Sequence, residues 1–544
     1  MPRLWAASPL AIGVLLGGCP APSYNDFESA TAPTPTGATT DTTGTLPADP
    51  LPTTTVPGPE TTTDAPATST GARPPDGSTT EAEPPPTIVD IDLAPPVLQA
   101  PGELAISVQA EHTATVMMQL PDQPPVELLE TAPGVFTDAL AFYSSLANDT
   151  YTATFIPSRP GVTGDDEVRA FTVNLPAAGT EVFWEAVAKL GEGSVAALAV
   201  LPGGDLVEFG TLTTGPRCYL RRRAPSGAWD DADVTLLPDL PCRAIDLGVT
   251  SDGALYLLTD RTGDGDLSWW LGRKQSLGAP PENIRFGAAG EEAHALAMHP
   301  AAAAVCGTQP TKKVDLADAT AWIVPFDAPG SVLHFDYQPA GKENQFKETP
   351  RDCAFAGDTL VLVGEARGQH EIGNINAPIL DRLFVLEYDT ITHASTWTVD
   401  GAPADLIQST AHSLTIDDQG RYLTGGHRCG VPCDPPVAEL RRFSPGGAQT
   451  WQLDLAPKLT APRRLAWSPA GYLVLVSAAN KGPWTSDYFI QAWIPGVYPA
   501  MWSYDKNVAP TLHMAHTVTI GLFGQVYTGG VGANHYPAVA FIHG

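Results

Sequence analysis

The sequence predicts an all-β protein whose C-terminal part is a seven-bladed β-propeller with velcro closure, in which a strand from the start of the domain completes the last blade. A hairpin pattern recurs roughly every 50 residues, a spacing typical of propeller blades. Each hairpin is an alternating apolar run, a Gly or Pro turn and a second apolar run, as in SLTIDDQGRYLTGG from Ser413. The other hairpins begin at Ala196, Ala244, Ala295, Cys353, Arg464 and Thr517.

The remaining strands of each blade support the same fold. A third apolar strand follows every hairpin, and six of these are followed by a fourth strand with an aromatic residue: Trp229, Phe286, Phe335, Trp397, Trp451 and Trp502. The seventh fourth strand is missing, while a surplus strand surrounds Trp184 just before the first hairpin. We expect that strand to complete the last blade, because closure leaves no open sheet edge. The aromatic residues are expected to pack between blades.

The N-terminus has the features of a targeting segment. Arg3 precedes an apolar stretch from Leu4 to Leu16, which is too short for a stable membrane-spanning helix. The sequence Leu-Gly-Gly-Cys ending at Cys19 resembles the lipobox of bacterial lipoproteins. That resemblance implies a signal peptide of residues 1–18, lipidation of Cys19 and, since residue 20 is Pro rather than Asp, an outer-membrane or cell-surface location.

Two segments separate the targeting signal from the propeller. Residues 19–90 are rich in Thr, Pro, Ala, Gly and acidic residues, with few large aliphatic side chains, so we expect a disordered tether. Residues 91–177 contain short alternating runs such as ELAISVQAE and TYTATFIP, separated by turns. This part resembles a bacterial immunoglobulin-like β-sandwich, a domain that commonly acts as a spacer. The propeller is assigned to residues 180–544.

The repeat sequences and the net charge exclude several classes of function. The propeller unit resembles the repeats of bacterial surface proteins and the tryptophan-docked repeats of quinoprotein dehydrogenases, but the repeated Ala-x-Asp turns and the vicinal Cys pair of the latter are absent. The formal net charge of −30 argues against nucleic acid as a partner. No GxSxG, HExxH, P-loop or dinucleotide fingerprint occurs, so we assign no catalytic residue and predict no cofactor.

The cysteines indicate an oxidising compartment. Seven are present, and removing the lipobox Cys19 leaves six, which suits disulfides. Pairing by proximity in sequence gives the most local of the fifteen connectivities: Cys218 with Cys242, Cys306 with Cys353, and Cys429 with Cys433. The segment His427–Cys433 has an alternative interpretation as a set of metal ligands, but no fourth ligand is evident, so we predict no metal.

Two further polar stretches are candidate ligand sites. The run Arg221–Arg223 on a predicted third strand is interpreted as a charged face near the edge of the sheet rather than a phosphate clamp. The acidic stretch from Asp260 to Asp266 has the composition of a calcium loop, but it lacks the distal bidentate Glu. We therefore expect a solvated acidic loop there.

One set of residues recurs at an equivalent position of the innermost strands. Aligning those strands on their shared apolar residue places Ala196 and Ile245 two positions before it in the first two blades. The next five blades carry a basic residue or a histidine there: His294, Arg351, His412, Arg463 and His516. In a propeller these side chains form a ring at one mouth of the channel, able to hold an anion or a metal. The competing interpretation is structural, with each His bonded to a neighbouring loop.

Together these observations predict a lipid-anchored envelope protein. A tether and a spacer present the propeller, which binds an unknown protein or a small anionic ligand without catalysis. The alternative is a propeller lyase or hydrolase with a His/Arg site at the channel mouth.

Overall fold

The computed structural model describes residues 83–544. Within that range it omits residues 122–123, 143–147, 187–189, 214–216, 224–234, 238–241, 265–266, 311–316, 338–345, 370–378, 400–406, 431–435, 456–458, 461, 483–484, 498, 507–513, 533–535 and 543–544. The predicted signal peptide and Cys19 lie outside the described residues, as does nearly all of the tether. The described part is all-β, as predicted, with 38 strands. It contains no helix that is long and apolar enough to cross a membrane.

The first ten strands form two sheets around one core. One sheet has the order β1-β3-β7-β6 and the other β2-β10-β8-β4-β5, with β9 paired to β8. Side chains of both sheets, including Ile106, Val116, Phe136 and Phe155, are buried in a shared apolar cluster. The strands are β1 Thr87–Ala94, β2 Val97–Leu98, β3 Gly102–Glu111, β4 Thr115–Gln119, β5 Val126–Glu127, β6 Leu129–Ala132, β7 Val135–Phe142, β8 Asp149–Arg159, β9 Val162–Thr163 and β10 Glu167–Val173.

The other strands form seven four-stranded antiparallel sheets in the described residues, in a propeller-like arrangement. Sheet 1 contains β12 Gly193–Val200, β13 Leu206–Leu212, β14 Arg217–Arg223 and β15 Thr235–Leu236. Sheet 2 contains β16 Arg243–Val249, β17 Leu255–Asp264, β18 Leu267–Lys274 and β19 Glu282–Phe286. Sheet 3 contains β20 Glu292–His299, β21 Ala302–Pro310, β22 Ala317–Pro325 and β23 Leu333–Asp336. Sheet 4 contains β24 Phe346–Ala356, β25 Thr359–Gln369, β26 Ile379–Asp389 and β27 Ser395–Val399.

The last three sheets follow the same order along the chain, with one exception. Sheet 5 contains β28 Ile407–Ile416, β29 Tyr422–Gly430, β30 Val437–Phe443 and β31 Gln449–Asp454. Sheet 6 contains β32 Arg464–Trp467, β33 Leu473–Gly482, β34 Thr485–Trp493 and β35 Trp502–Lys506. Sheet 7 contains β36 Met514–Ile520, β37 Val526–Val531 and β38 Pro537–Ile542, and its fourth strand is β11 Glu181–Ala186 from the start of the repeats. Trp184 of β11 pairs with Ala540 of β38.

Adjacent sheets pack face to face through the first strand of each, here called the inner strand. The inner strands β12, β16, β20, β24, β28 and β32 each contact the next one along the chain, and β36 contacts β12. Apolar clusters lie between neighbouring sheets, as where Leu362 and Phe384 of sheet 4 meet Ala304 and Ala321 of sheet 3. Burying both faces of each sheet explains why its central strands are almost continuously apolar.

The predicted packing role of the fourth-strand aromatics holds only in part. Trp184, Phe335, Trp451 and Trp502 lie in or against the apolar clusters between sheets. Phe286 in β19 is instead exposed, because the outermost strand of a sheet also has a solvent-facing side. Trp229 lies outside the described residues, and the burial of Trp397 is not described.

The disulfides join neighbouring sheets. Cys218 in β14 is bonded to Cys242, which immediately precedes β16, and Cys306 in β21 is bonded to Cys353 in β24. Both pairs were predicted from the sequence. Cys429 is also disulfide-bonded, and Cys433 lies outside the described residues.

Two interpretations of polar stretches were wrong. Arg221 and Arg223 do not form a charged face near the sheet edge but are buried, at 2% and 7%, because β11 of sheet 7 packs against them. Their partner there is Glu185, 3.4 and 3.7 Å away, and the Arg223 guanidinium stacks on Phe183. The acidic stretch forms the end of strand β17 rather than a loop, and Asp260 is paired with Arg243 at 2.8 Å. Gly265 and Asp266 lie outside the described residues.

Candidate functional site at the bulges of the inner strands

The residues of the predicted ring share one backbone feature, a β-bulge near the start of the inner strand. The ladder between the first two strands skips one residue in six of the sheets: Ala196, Ile245, His294, Arg351, His412 and His516. In sheet 6, Arg463 stands just before β32 and donates its backbone N–H to Val476, the residue that also pairs with Arg464. A bulge inserts an unpaired residue and re-aims its side chain.

The five basic and histidine members are electrostatic neighbours of one another in chain order. Burial lowers the pKa of His294, His412 and His516 to about 4 in each case. The charge of Arg351 contributes to the lowering at both His294 and His412, and that of Arg463 contributes at both His412 and His516. Each arginine is therefore close to the histidines of the two adjacent sheets.

Much of the positive charge in this region is already neutralised. The Arg351 guanidinium donates to the Glu365 carboxylate of β25 at 2.6 Å, and Arg243 lies 2.8 Å from Asp260 of β17. With pKa values near 4, the three histidines are neutral at pH 7. The ring is thus less positive than its residue types indicate.

Arg463 is the exception among the members of the ring. It is exposed, and the one side-chain hydrogen bond that it makes in the described residues runs from a guanidinium nitrogen to Met514 Sδ at 3.7 Å, a weak contact. Burial nevertheless lowers its pKa. Arg463 therefore offers a solvent-accessible cation that no carboxylate among the described residues neutralises.

Each histidine has a different local environment. His516 Nε2 is buried without a hydrogen-bond partner in the described residues, and the nearby backbone of Val195 in sheet 1 opposes part of the lowering of its pKa. His294 Nε2 is buried without a hydrogen-bond partner in the described residues and lies 3.6 Å from the Glu292 carboxylate. His412 contacts two side chains of its own sheet: its Nε2 is 3.0 Å from Thr410 Oγ1 and 3.1 Å from His427 Nδ1.

A second layer of charged residues lies one position further along the inner strands, and the sequence analysis missed it. Arg464 donates to Asp246 Oδ2 at 2.8 Å and to Asp352 Oδ1 at 3.1 Å. These three residues come from sheets 6, 2 and 4. Side chains of three non-adjacent sheets can meet only in the middle of the arrangement, so we call this group the central bridge.

The central bridge also ties inner strands together. Asp246 accepts the backbone N–H of Leu247 and, from the next sheet, of Leu296. Asp352 accepts those of Cys353 and, from the next sheet, of Leu414. Carboxylates that accept two backbone N–H groups and an arginine are well suited to burial.

Burial has opposite effects on the two kinds of group in the bridge. Burial raises the pKa of Asp352 to about 6 against the opposing influence of Arg464, and the nearby Asp246 charge raises it further. Burial alone would lower the pKa of Arg464, but the two carboxylates raise it above its ordinary value. Arg464 is therefore charged at neutral pH.

The described residues contain no metal site built only from His, Cys, Asp and Glu side chains. Among the residues that the structure describes, no group of three or more His, Cys, Asp or Glu side chains is positioned to hold an ion. The sequence alternative that placed metal ligands in the segment His427–Cys433 is wrong for Cys429, whose sulfur is in a disulfide.

Comparisons with known proteins give no family. No protein-family model matches the chain, and no curated protein sequence does. A Dyadobacter fermentans protein of unknown function aligns with a TM-score of 0.42 and 9% identity, over 67% of this chain and 98% of that one. The β-propeller domain of the Trilobed protease from Pyrococcus furiosus aligns with a TM-score of 0.40 and 10% identity, over 65% and 94%. A PL25 ulvan lyase aligns with a TM-score of 0.40 and 9% identity, over 66% and 95%.

Proposed function

We propose that the chain is a lipid-anchored protein of the bacterial cell envelope whose propeller binds a small anionic ligand at the mouth formed by the bulge residues. The observation that carries this proposal is Arg463, a solvent-accessible guanidinium with no carboxylate partner among the described residues. An anion brought to it gains a charge-assisted hydrogen bond without displacing a protein carboxylate.

The neighbours of Arg463 define what else the ligand would meet. Neutral His412 and His516 lie on either side and offer ring nitrogens as donors or acceptors. Arg351 becomes available if the ligand replaces Glu365, which is one-fifth exposed. Below the mouth, the central bridge occupies the middle of the arrangement, so the ligand enters and leaves by the same side.

The architecture we propose is a seven-bladed propeller with velcro closure, preceded by an immunoglobulin-like spacer. Pairing of β11 with β38 and contact between β36 and β12 support closure of the ring. The strand orders β1-β3-β7-β6 and β2-β10-β8-β4-β5 support the immunoglobulin-like assignment, because the first strand divides between the two sheets as in that fold. Such a spacer and tether would hold the propeller away from the membrane.

Binding of anions to the purified full-length chain tests the proposal. Sulfate, phosphate, acetate and a uronate are titrated at low salt by calorimetry, with the variants Arg463→Ala and Arg351→Ala. We expect one anion class to bind and Arg463→Ala to weaken it by about tenfold or more, the loss of one charge-assisted hydrogen bond. Arg169→Ala, an exposed arginine of the sandwich paired with Glu167, is the matched control and should bind as the unmodified protein does.

The result that overturns the proposal is equal anion affinity in the unmodified protein and in the Arg351→Ala/Arg463→Ala double variant. Absence of binding by all four anions overturns it as well. The same titration distinguishes the competing structural interpretation, under which Arg463→Ala leaves the anion affinity unchanged.

A further inference from the structure

We propose that Thr410, His412 and His427 form a binding site for one divalent transition-metal ion of the kind that prefers imidazole, such as Zn²⁺, Ni²⁺ or Cu²⁺. The site lies in sheet 5 and does not depend on the proposed anion binding.

The separations between the three donor atoms are those of ligands around one ion. Thr410 Oγ1 lies 3.0 Å from His412 Nε2 and 3.1 Å from His427 Nδ1, and the two nitrogens are 3.1 Å apart. Adjacent ligands at 2.0–2.1 Å from a metal are about 2.9 to 3.4 Å apart, depending on geometry. An ion about 2.1 Å from all three atoms would subtend angles of about 95° at the metal, close to one face of an octahedron.

Without an ion, the three side chains have too few protons to make a hydrogen bond at each of their three contacts. In its neutral form each imidazole carries one ring proton, on either nitrogen. If one facing nitrogen is protonated and the other is not, the triangle contains two protons, that one and the threonine hydroxyl proton. Two protons make two good hydrogen bonds, while three donor atoms meet in three contacts. A metal ion uses a lone pair from each atom and removes this mismatch.

The fold brings the three side chains together in a simple way. Thr410 of β28 and His427 of β29 are direct cross-strand partners, so their side chains lie on the same face of the sheet. The β-bulge falls at His412, which is skipped by the ladder between Ala411 and Ser413. Freed from the regular alternation, the imidazole of His412 is directed back over the pair.

The surrounding charges act in both directions. Glu365 and Asp381 favour a cation at His427, whereas Arg351 and Arg463 disfavour one at His412. The charge of Arg351 is offset by Glu365 at 2.6 Å, which leaves Arg463 as the main opposition. The two imidazole ring planes lie 22° apart with centroids 5.2 Å apart, so the rings must reorient to direct both lone pairs at a shared ion.

The test is a titration of untagged full-length protein, stripped with chelator, with Zn²⁺ and with Ni²⁺ alone. We expect one equivalent to bind, and binding to be lost at acidic pH as the imidazoles protonate. His412→Ala and His427→Ala should each weaken binding by at least about tenfold, the loss seen for even outer-shell groups of metal sites. Thr410→Val should cause a smaller loss and Thr410→Ser none.

Controls keep the test decisive. His299→Ala removes a histidine of similar exposure that lies 3.6 Å from Asp358 in another part of the chain, and it should not change the affinity. If circular dichroism shows that an alanine variant fails to fold, His427→Gln or His412→Asn is used in its place, because each keeps a polar side chain at the site. Equal affinity in the folded His412/His427 double variant and the unmodified protein overturns the site, as does the absence of any bound equivalent. Because this titration contains no anion variable, its failure leaves the anion-binding proposal standing.

Discussion

Replacing Arg464 by Met should destabilise the protein strongly at alkaline pH and much less at acidic pH. Arg464 contacts two carboxylates, Asp246 and Asp352, whose side chains are 6% and 1% exposed. Methionine preserves the aliphatic bulk but leaves both charges without their counter-ion. Breaking a buried ion pair by removing one partner costs about 3–5 kcal/mol. Since Arg464 itself is 28% exposed, we expect the lower half of that range at pH 8.

The pH dependence follows from the carboxyl pKa of Asp352. In the folded protein it is raised to about 6 from an ordinary value of 3.8, so the folded state holds that proton more tightly than the unfolded state. The resulting contribution to stability is complete below about pH 4 and is lost as the pH rises through 6. Removing Arg464 raises the folded pKa further, because the guanidinium was lowering it. A proton then substitutes for the missing arginine charge, and the cost of the substitution shrinks towards pH 5.

Chemical denaturation at pH 5 and at pH 8 measures the loss in free energy of unfolding caused by Arg464→Met and its dependence on pH. The control is Arg442→Met, the same change at a half-buried arginine of β30 that donates to the Thr450 hydroxyl, and it should alter stability by less than about 0.5 kcal/mol. A loss for Arg464→Met that is equal at the two pH values, or no larger than that of the control at pH 8, refutes the reasoning. Asp352→Asn is a poorer probe, since the amide would place a donor against the backbone N–H groups that Asp352 now accepts.

Three other predictions address anchoring, closure and covalent links. Cys19→Ala should move the protein from the membrane fraction to the soluble fraction, as followed by immunoblotting; retention in the membrane fraction contradicts the lipobox interpretation. A chain that begins at Ser194 lacks β11 and should aggregate or melt far below the full chain, whereas deletion of residues 20–90 should leave the melting temperature unchanged; equal melting temperatures would exclude closure by β11. Reduction of the disulfides should lower stability by about 2–5 kcal/mol, mainly through the inter-sheet bonds with separations of 24 and 47 residues, and Cys218→Ala/Cys242→Ala should reproduce part of that loss.

The sheets could be predicted from the sequence because their signal is repeated seven times. An isolated alternating run is ambiguous, but equivalent runs with equivalent turns align with one another, and the alignment also exposes the surplus strand around Trp184. The disulfides between neighbouring sheets could be predicted for the same reason. Cys218 and Cys242 flank a single connection, so pairing by proximity joins adjacent repeats.

The central bridge was not predicted, although its residues were in the same alignment. Asp246 and Asp352 each stand one position after a bulge residue, and Arg464 stands one position after Arg463. The sequence analysis assigned no role to these positions, and the bulge explains why simple alternation could not have placed them. In sheet 5 the ladder runs from Ala411 directly to Ser413, so Ala411 and Leu414, three apart, lie on the same face and share one apolar cluster. Period-two counting from His412 to Leu414 therefore assigns the wrong face.

The bulge also explains why the mouth and the central bridge are adjacent. Each extra residue is an unpaired position that can carry a polar side chain without breaking the ladder on either side of it. The residue that follows resumes the ladder facing the middle, where Asp246 and Asp352 accept backbone N–H groups from the next inner strand. Arg351 and Arg463 thus directly precede Asp352 and Arg464 in the chain. A ligand bound at the mouth, as we propose, would contact side chains whose backbone the bridge already fixes, so little binding energy would be spent on ordering them.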